Sequence, residues 1–157
     1  MKRTLFSSVL FAATVAGANA AAAPIHVSDA WSRPATGTAV VYATIHNDSA
    51  EPDRLIGATS PVATHADLHE SSETKMPAMS MSSGSMGNMP MSGSMMSMKT
   101  LTAIPVPAGG TTSLKPGGYH VMLDLRHDLK AGETVPLRLH FAHAGWIAVT
   151  ATVRPIR

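Results

Sequence analysis

The stretch Lys115-Pro-Gly-Gly-Tyr-His-Val-Met-Leu123 sets the reading of the whole chain. Pro116-Gly117-Gly118 is turn composition, and the apolar run after it reads as a β-strand. Side chains alternate faces along a strand, so residues two apart point the same way. His120 and Met122 therefore share one face, while Tyr119, Val121 and Leu123 take the face that can enter a core. The turn places the pair near a rim. An imidazole beside a thioether, with no charge between them, suits a soft ion such as Cu(I).

Working outward, strand signals recur with Gly, Pro and Asn punctuation. Ile25 to Arg33 alternates loosely and is closed by Pro34. Thr38 to His46 is rich in β-branched residues. Asp53 to Ser60 is a third strand. His65 to Glu70 is a fourth, with Ala66 and Leu68 on one face and His65, Asp67 and His69 on the other. Thr100 to Val106 reads as a fifth, followed by short strands at Thr111 to Lys115 and Tyr119 to Leu125. Thr134 to His143 alternates clearly, and Trp146 to Arg154 is the last strand. No window of helical period reaches helix length. Eight or nine short strands of this kind predict an all-β, antiparallel Greek-key sandwich in one domain.

One segment breaks the pattern. Met76 to Met98 holds nine methionines in 23 residues, interleaved with Ser, Gly, Asn and Pro. Such a composition buries too little to offset chain entropy, so residues 76–98 read as a flexible loop. A core helix, the usual place for a methionine stripe, would need a 3.6-residue period, and none shows.

The first twenty residues read as an export signal. Lys2-Arg3 is the charged region, Leu5 to Val15 the apolar one, and Ala18-Asn19-Ala20 the cleavage site. The expected domain is then 21–157, and its location the periplasm. Without the signal, ten Lys and Arg balance ten Asp and Glu, which argues against nucleic acid or an anionic membrane as partner. The 157 residues contain no cysteine, so disulfides, thiolate metal sites and lipid attachment at a signal-peptide cysteine are excluded. No nucleophile–base motif appears, and the chain is not expected to be an enzyme.

The run Val106-Pro-Ala-Gly-Gly-Thr, continuing to Leu114-Lys-Pro-Gly-Gly-Tyr-His-Val-Met-Leu123, resembles the periplasmic copper chaperone family PCuAC. That family carries a cupredoxin-like sandwich and a Cu(I) site of the form H-x10-M-x21-H-x-M. Met98, twenty-one intervening residues, His120, one residue and Met122 reproduce the second half. His69 matches the first histidine. Trp31-Ser32-Arg33-Pro34, Tyr42, Ile45, Asn47, Asp53 and Leu55 extend the similarity over most of the chain. The departure lies between His69 and Met98, where 28 residues stand in place of the family's ten. At the short spacing the position is Ser80. Met98 keeps its distance to His120 and is the expected ligand, with Met95 and Met96 as neighbours that could substitute.

The resemblance implies a Cu(I) site of His69, Met98, His120 and Met122. It also implies delivery to the copper A centre of cytochrome c oxidase, or exchange with a Sco-type thiol protein. Two imidazoles and two thioethers make a soft, closed set that binds and transfers an ion rather than activating water. Met76, Met79, Met81, Met86, Met89, Met91, Met95 and Met96 are accessory candidates, for metal capture or as a passive linker. The other histidines, His26, His46, His65, His127, His140 and His143, read as surface residues making ordinary hydrogen bonds. The last three could also form a weaker accessory divalent site, of the kind that takes Cu(II). Copper buffering or resistance is the alternative function. A metal-free Ig-like interaction domain is the third.

Overall fold

The computed structural model describes residues 24–75 and 94–155. Among them the regular structure is entirely strand. The ten strands are β1 (Ile25–Ser32), β2 (Thr38–Asn47), β3 (Asp53–Thr59), β4 (Ala63–Lys75), β5 (Ser94–Leu101), β6 (Ile104–Val106), β7 (Thr111–Leu114), β8 (Tyr119–Leu125), β9 (Thr134–Phe141) and β10 (Gly145–Val153). They hydrogen-bond in the order β5-β4-β8-β7-β2-β1-β10-β9-β3-β6.

The order folds back on itself as a barrel-like β-sandwich. One layer runs from β5 to β1 and the other from β10 to β6. They are joined by a short parallel pairing of Trp31 and Ser32 with Thr152 and Val153. β7 and β8 share one edge of β2: β7 pairs with Ala43 to His46, and β8 with Thr38 to Val41. The turn between them therefore sits beside the middle of β2. Val41, Ile45, Leu68, Val121 and Leu123 face Leu55, Val135, Leu137, Leu139, Phe141 and Val153 across the core, all nearly inaccessible to water. Burying each such side chain contributes roughly 1.5–3 kcal/mol.

Three sequence expectations are corrected. The strand expected over Thr100 to Val106 is two strands. Thr100 and Leu101 end β5 at one edge of the order, and Ile104 to Val106 form β6 at the other. The fourth strand does not end at Glu70. β4 continues to Lys75, and its last residues pair with β5, Ser71 with Met98 and Lys75 with Ser94. The segment expected as loop over 76–98 thus has its final residues, from Ser94, in a hairpin arm. None of Ser94 to Met98 is β-branched or aromatic, and it is the partner strand that makes them extended. The remainder of that segment, with Met76 to Met91, lies outside the described residues, as does the proposed signal over 1–20. Among the described residues no helix is long and apolar enough to cross a membrane.

Candidate metal centre

The turn before β8 does more than punctuate. The amide of Gly118 donates to the carbonyl of Lys115 at 3.1 Å, and Gly117 has φ +75°. That is a turn with proline second and a left-handed residue third, a conformation glycine adopts without strain. The turn aims the Gly118 carbonyl back over the strand. It accepts from the amide of Ser71 at 3.0 Å and from Nδ1 of His120 at 3.0 Å. A carbonyl can only accept, so Nδ1 carries the hydrogen and Nε2 presents its lone pair elsewhere.

Register then assembles the face opposite the core. His69 on β4 stands directly across from His120 on β8, and Asp67 across from Met122. Directly opposed residues in an antiparallel pair share a face at Cβ separations of about 4.5–5.5 Å. The imidazole centroids of His69 and His120 are 5.7 Å apart. A bulge between Ala63 and His65 sets this phase. On the far side of β4, Met98 pairs with Ser71, one diagonal step from His69. Diagonal neighbours are about 7–8 Å apart, within reach of a long side chain. The described structure thus brings His69, His120 and Met122 together. It leaves Met98 one step off on the same hairpin, 56% exposed. Met96 pairs with Glu73 and is also exposed, and Met95 pairs with Thr74.

His120 is 3% exposed, so the expectation of an open rim is corrected: its ring is buried. Tyr42 flanks it, ring to ring at 6.4 Å. Among the described residues two buried side-chain atoms have no hydrogen-bond partner, Nδ1 of His69 and Nε2 of His120. An unpaired buried polar atom costs about 1–3 kcal/mol, so natural folds keep few of them. Here two occur on facing imidazoles with a thioether alongside. This donor set fits a soft monovalent ion. No three His, Asp or Glu residues converge among the described residues, which is the arrangement a harder ion would need.

The other histidines do ordinary work. His46 bridges Ser28 and Thr111, His26 approaches Asp48 at 3.2 Å, and His65 lies 3.6 Å from Asp67. His127, His140 and His143 do not converge. His127 donates to the Asp128 carbonyl, His140 stacks on Trp146 at 4.2 Å, and His143 donates to the Pro52 carbonyl. A groove of about 900 Å³ runs past Pro105, Val106, Thr112, Lys115 and Tyr119, on the core side of the same strands. None of the proposed ligands lines it. Sequence reading placed Asp67 beside His69 by alternation. It missed that Tyr42 abuts His120, because nothing in the sequence specifies the pairing of β2 with β8.

A model of the family described as "Putative lipoprotein LpqE-like" matches residues 25–87 and 79–153. The chain is 30% identical over 132 residues to a protein of Leifsonia xyli subsp. xyli named as a putative lipoprotein, covering 83% of this chain and 69% of that one. This chain belongs to the LpqE-like family. Its fold is that of the PCuAC copper chaperone domains. The copper-bound PCuAC domain of PmoF2 matches with a TM-score of 0.63 at 23% identity, covering 85% of this chain and 94% of that one. The Cu(I) form of DR1885 from Deinococcus radiodurans matches at 31% identity with a TM-score of 0.55, covering 88% and 83%. Its apo form covers 99% of this chain and 97% of its own, at 28% identity. The family description speaks of a lipoprotein, whereas these 157 residues hold no cysteine to carry a thioether-linked lipid.

Proposed function

We propose that this protein is an exported, periplasmic carrier of Cu(I), not an enzyme, which holds the ion with His69, His120, Met122 and Met98. The observation that carries this reading is the facing pair of imidazoles, each with a buried nitrogen that has no partner among the described residues, Nδ1 of His69 and Nε2 of His120. The Gly118 carbonyl holds the His120 ring so that Nε2 is the free donor, the role an outer hydrogen bond plays at many metal-bound histidines. The Cu(I)-bound relative at 31% identity supports the choice of ion. Thioethers bind hard ions weakly, so Cu(I) or Ag(I) is taken far above Zn(II) or Mg(II). Met98 joins by a small motion of the β4–β5 hairpin. A ligand on a movable arm suits an ion that must also leave.

The receiving protein, in this reading, is the cytochrome c oxidase subunit that carries the copper A centre, or a Sco-type protein. Copper buffering is a second reading, favoured by the methionines between Met76 and Met96. Anaerobic Cu(I) titration against a chelator, with mass spectrometry to count ions, tests the proposal. One tight equivalent is expected, weakened strongly in both His120→Ala and Met122→Ala. Unchanged competition in both variants, or Zn(II) binding as tight as Cu(I), would rule the site out.

A further inference from the structure

The row through His69 and His120 does not stop at Tyr42. On β1, Trp31 stands directly opposite Tyr42, and the two rings are 4.7 Å apart. His69, His120, Tyr42 and Trp31 thus lie in one transverse line on one face of the sheet. A bulge makes this so. Register shifts between Ser28 and Trp31, and Asp29 inside the bulge has φ +49°. Without the extra residue, alternation would set Ala30 opposite Tyr42. A bulge re-aims a side chain, and a left-handed non-glycine residue persists only where its surroundings hold it.

Two guanidiniums flank the indole that the bulge presents. Cζ of Arg33 lies 5.8 Å from the Trp31 ring centroid, and Cζ of Arg154 lies 5.6 Å from it. Arg33 makes no ion pair among the described residues. Among the described residues Arg154 reaches only Asp29, at 3.9 Å, with both side chains at least half exposed. So loose an exposed pair contributes little and leaves the charge available.

We propose that Trp31, Arg33 and Arg154 form a docking platform for a carboxylate-rich protein surface, and that it speeds copper exchange with an acidic partner. This rests on the copper-carrier reading. Guanidiniums already stacked on an aromatic ring lose less freedom when they grip a carboxylate, and their forks match it in bidentate fashion. Trp and Arg are the residues that dominate binding energy at protein interfaces. A small anion would gain nothing from the indole, whereas a protein surface gains from both area and charge. The location also fits. Two strand spacings, roughly 10 Å, separate Trp31 from His120, so a partner seated here has its own ligands beside the ion. Exchange then proceeds with copper remaining Cu(I): imidazole and thioether donors depart with their lone pairs as the partner's donors replace them.

The test uses Cu(I)-loaded protein and two synthetic acceptor peptides with the same methionine ligands, one flanked by Asp and Glu and one by Ser. Stopped-flow transfer to the acidic acceptor is expected to be faster by on the order of tenfold at low salt, with the advantage vanishing at high salt. In the Arg33→Gln/Arg154→Gln variant, the two acceptors should react alike, at unchanged Cu(I) affinity. Equal rates for both acceptors in the wild type, or an undiminished advantage in the variant, would overturn the platform. Failure of the wild type to bind Cu(I) would instead sink the carrier reading. Calorimetric binding of the copper-free protein to the acidic peptide then decides the platform alone, and no binding overturns it. Binding to phosphatidylglycerol vesicles but not to the acidic peptide also overturns it.

Discussion

His120 uses one ring nitrogen to hold its own rotamer and leaves the other buried without a partner. That arrangement is unfavourable for folding alone, which gives the first prediction. Replacing a buried unsatisfied polar group by an apolar one of similar size is close to neutral or stabilising. His120→Leu is expected to leave the apo protein within about 1 kcal/mol of the wild type in urea unfolding, or above it. Its Cu(I) affinity should fall by at least about 100-fold in chelator competition. A loss of several kcal/mol of apo stability would show that His120 is a structural residue. Asp53 is the contrasting case. Burial pushes its carboxyl up, but the amides of Ala144, Arg54 and His143, together with the nearby His143 ring, outweigh burial. The result lies below the ordinary 3.8. A lowered folded-state value means that the stabilisation is present above pH 3.8 and is lost as pH falls below it. Asp53→Asn should cost about 1.5–3 kcal/mol at neutral pH, the worth of hydrogen bonds to a charged group. It should also flatten the acid limb of a stability–pH curve. Parallel acid limbs in the two proteins would contradict the role given to Asp53.

At the scale of elements, what could be read from sequence was whatever depends on local alternation. The i, i+2 placement of His120 and Met122, and of Asp67 and His69, follows from strand geometry alone and holds in β8 and β4. The glycine turn that aims His120 was legible because proline and glycine leave few alternatives there. Long-range pairing was not legible. β5 is strand because β4 extends beneath it, and no residue from Ser94 to Met98 is β-branched or aromatic. The β1 bulge was equally hidden: it moves Trp31 rather than Ala30 into the row, and Asp29 tolerates the left-handed backbone without advertising it. A prediction follows from that backbone. A β-branched side chain at φ +49° is strained, so Asp29→Val should cost about 1–2 kcal/mol in chemical denaturation. Asp29→Gly should be neutral or mildly stabilising. Equal effects of the two substitutions would mean that the bulge is not held in the left-handed region.

On the scale of the whole molecule, the sandwich supplies rigid strands for His69, His120 and Met122, and Met98 sits on the hairpin that leads into the methionine-rich segment. Close spacings such as Met79-x-Met81 and Met89-x-Met91 let one segment bring two or three thioethers to a soft ion. Its Ser- and Gly-rich composition is that of a chain that loses entropy on gripping an ion, so its sites should be weaker than one built on strands. Tethering raises the effective concentration of a captured ion beside the strand site. The segment is therefore expected to act as a loading antenna. A deletion that tests this must spare β5. Cutting Ser80 to Ser97 would restore the family's spacing but remove the residues that pair with Ser72 to Lys75. Lys75 and Ser94 are already cross-strand partners, so replacing residues 76–93 by Asn-Gly closes the hairpin with a two-residue turn suited to strand twist. The shortened protein should keep Met95, Met96, Met98 and one tight Cu(I). It should lose the weaker equivalents in anaerobic titration and load more slowly when copper is limiting. An unchanged ion count with an unchanged loading rate would make the segment a tolerated insertion and no antenna. Loss of the tight equivalent would instead move a ligand of the main site into residues 76–93.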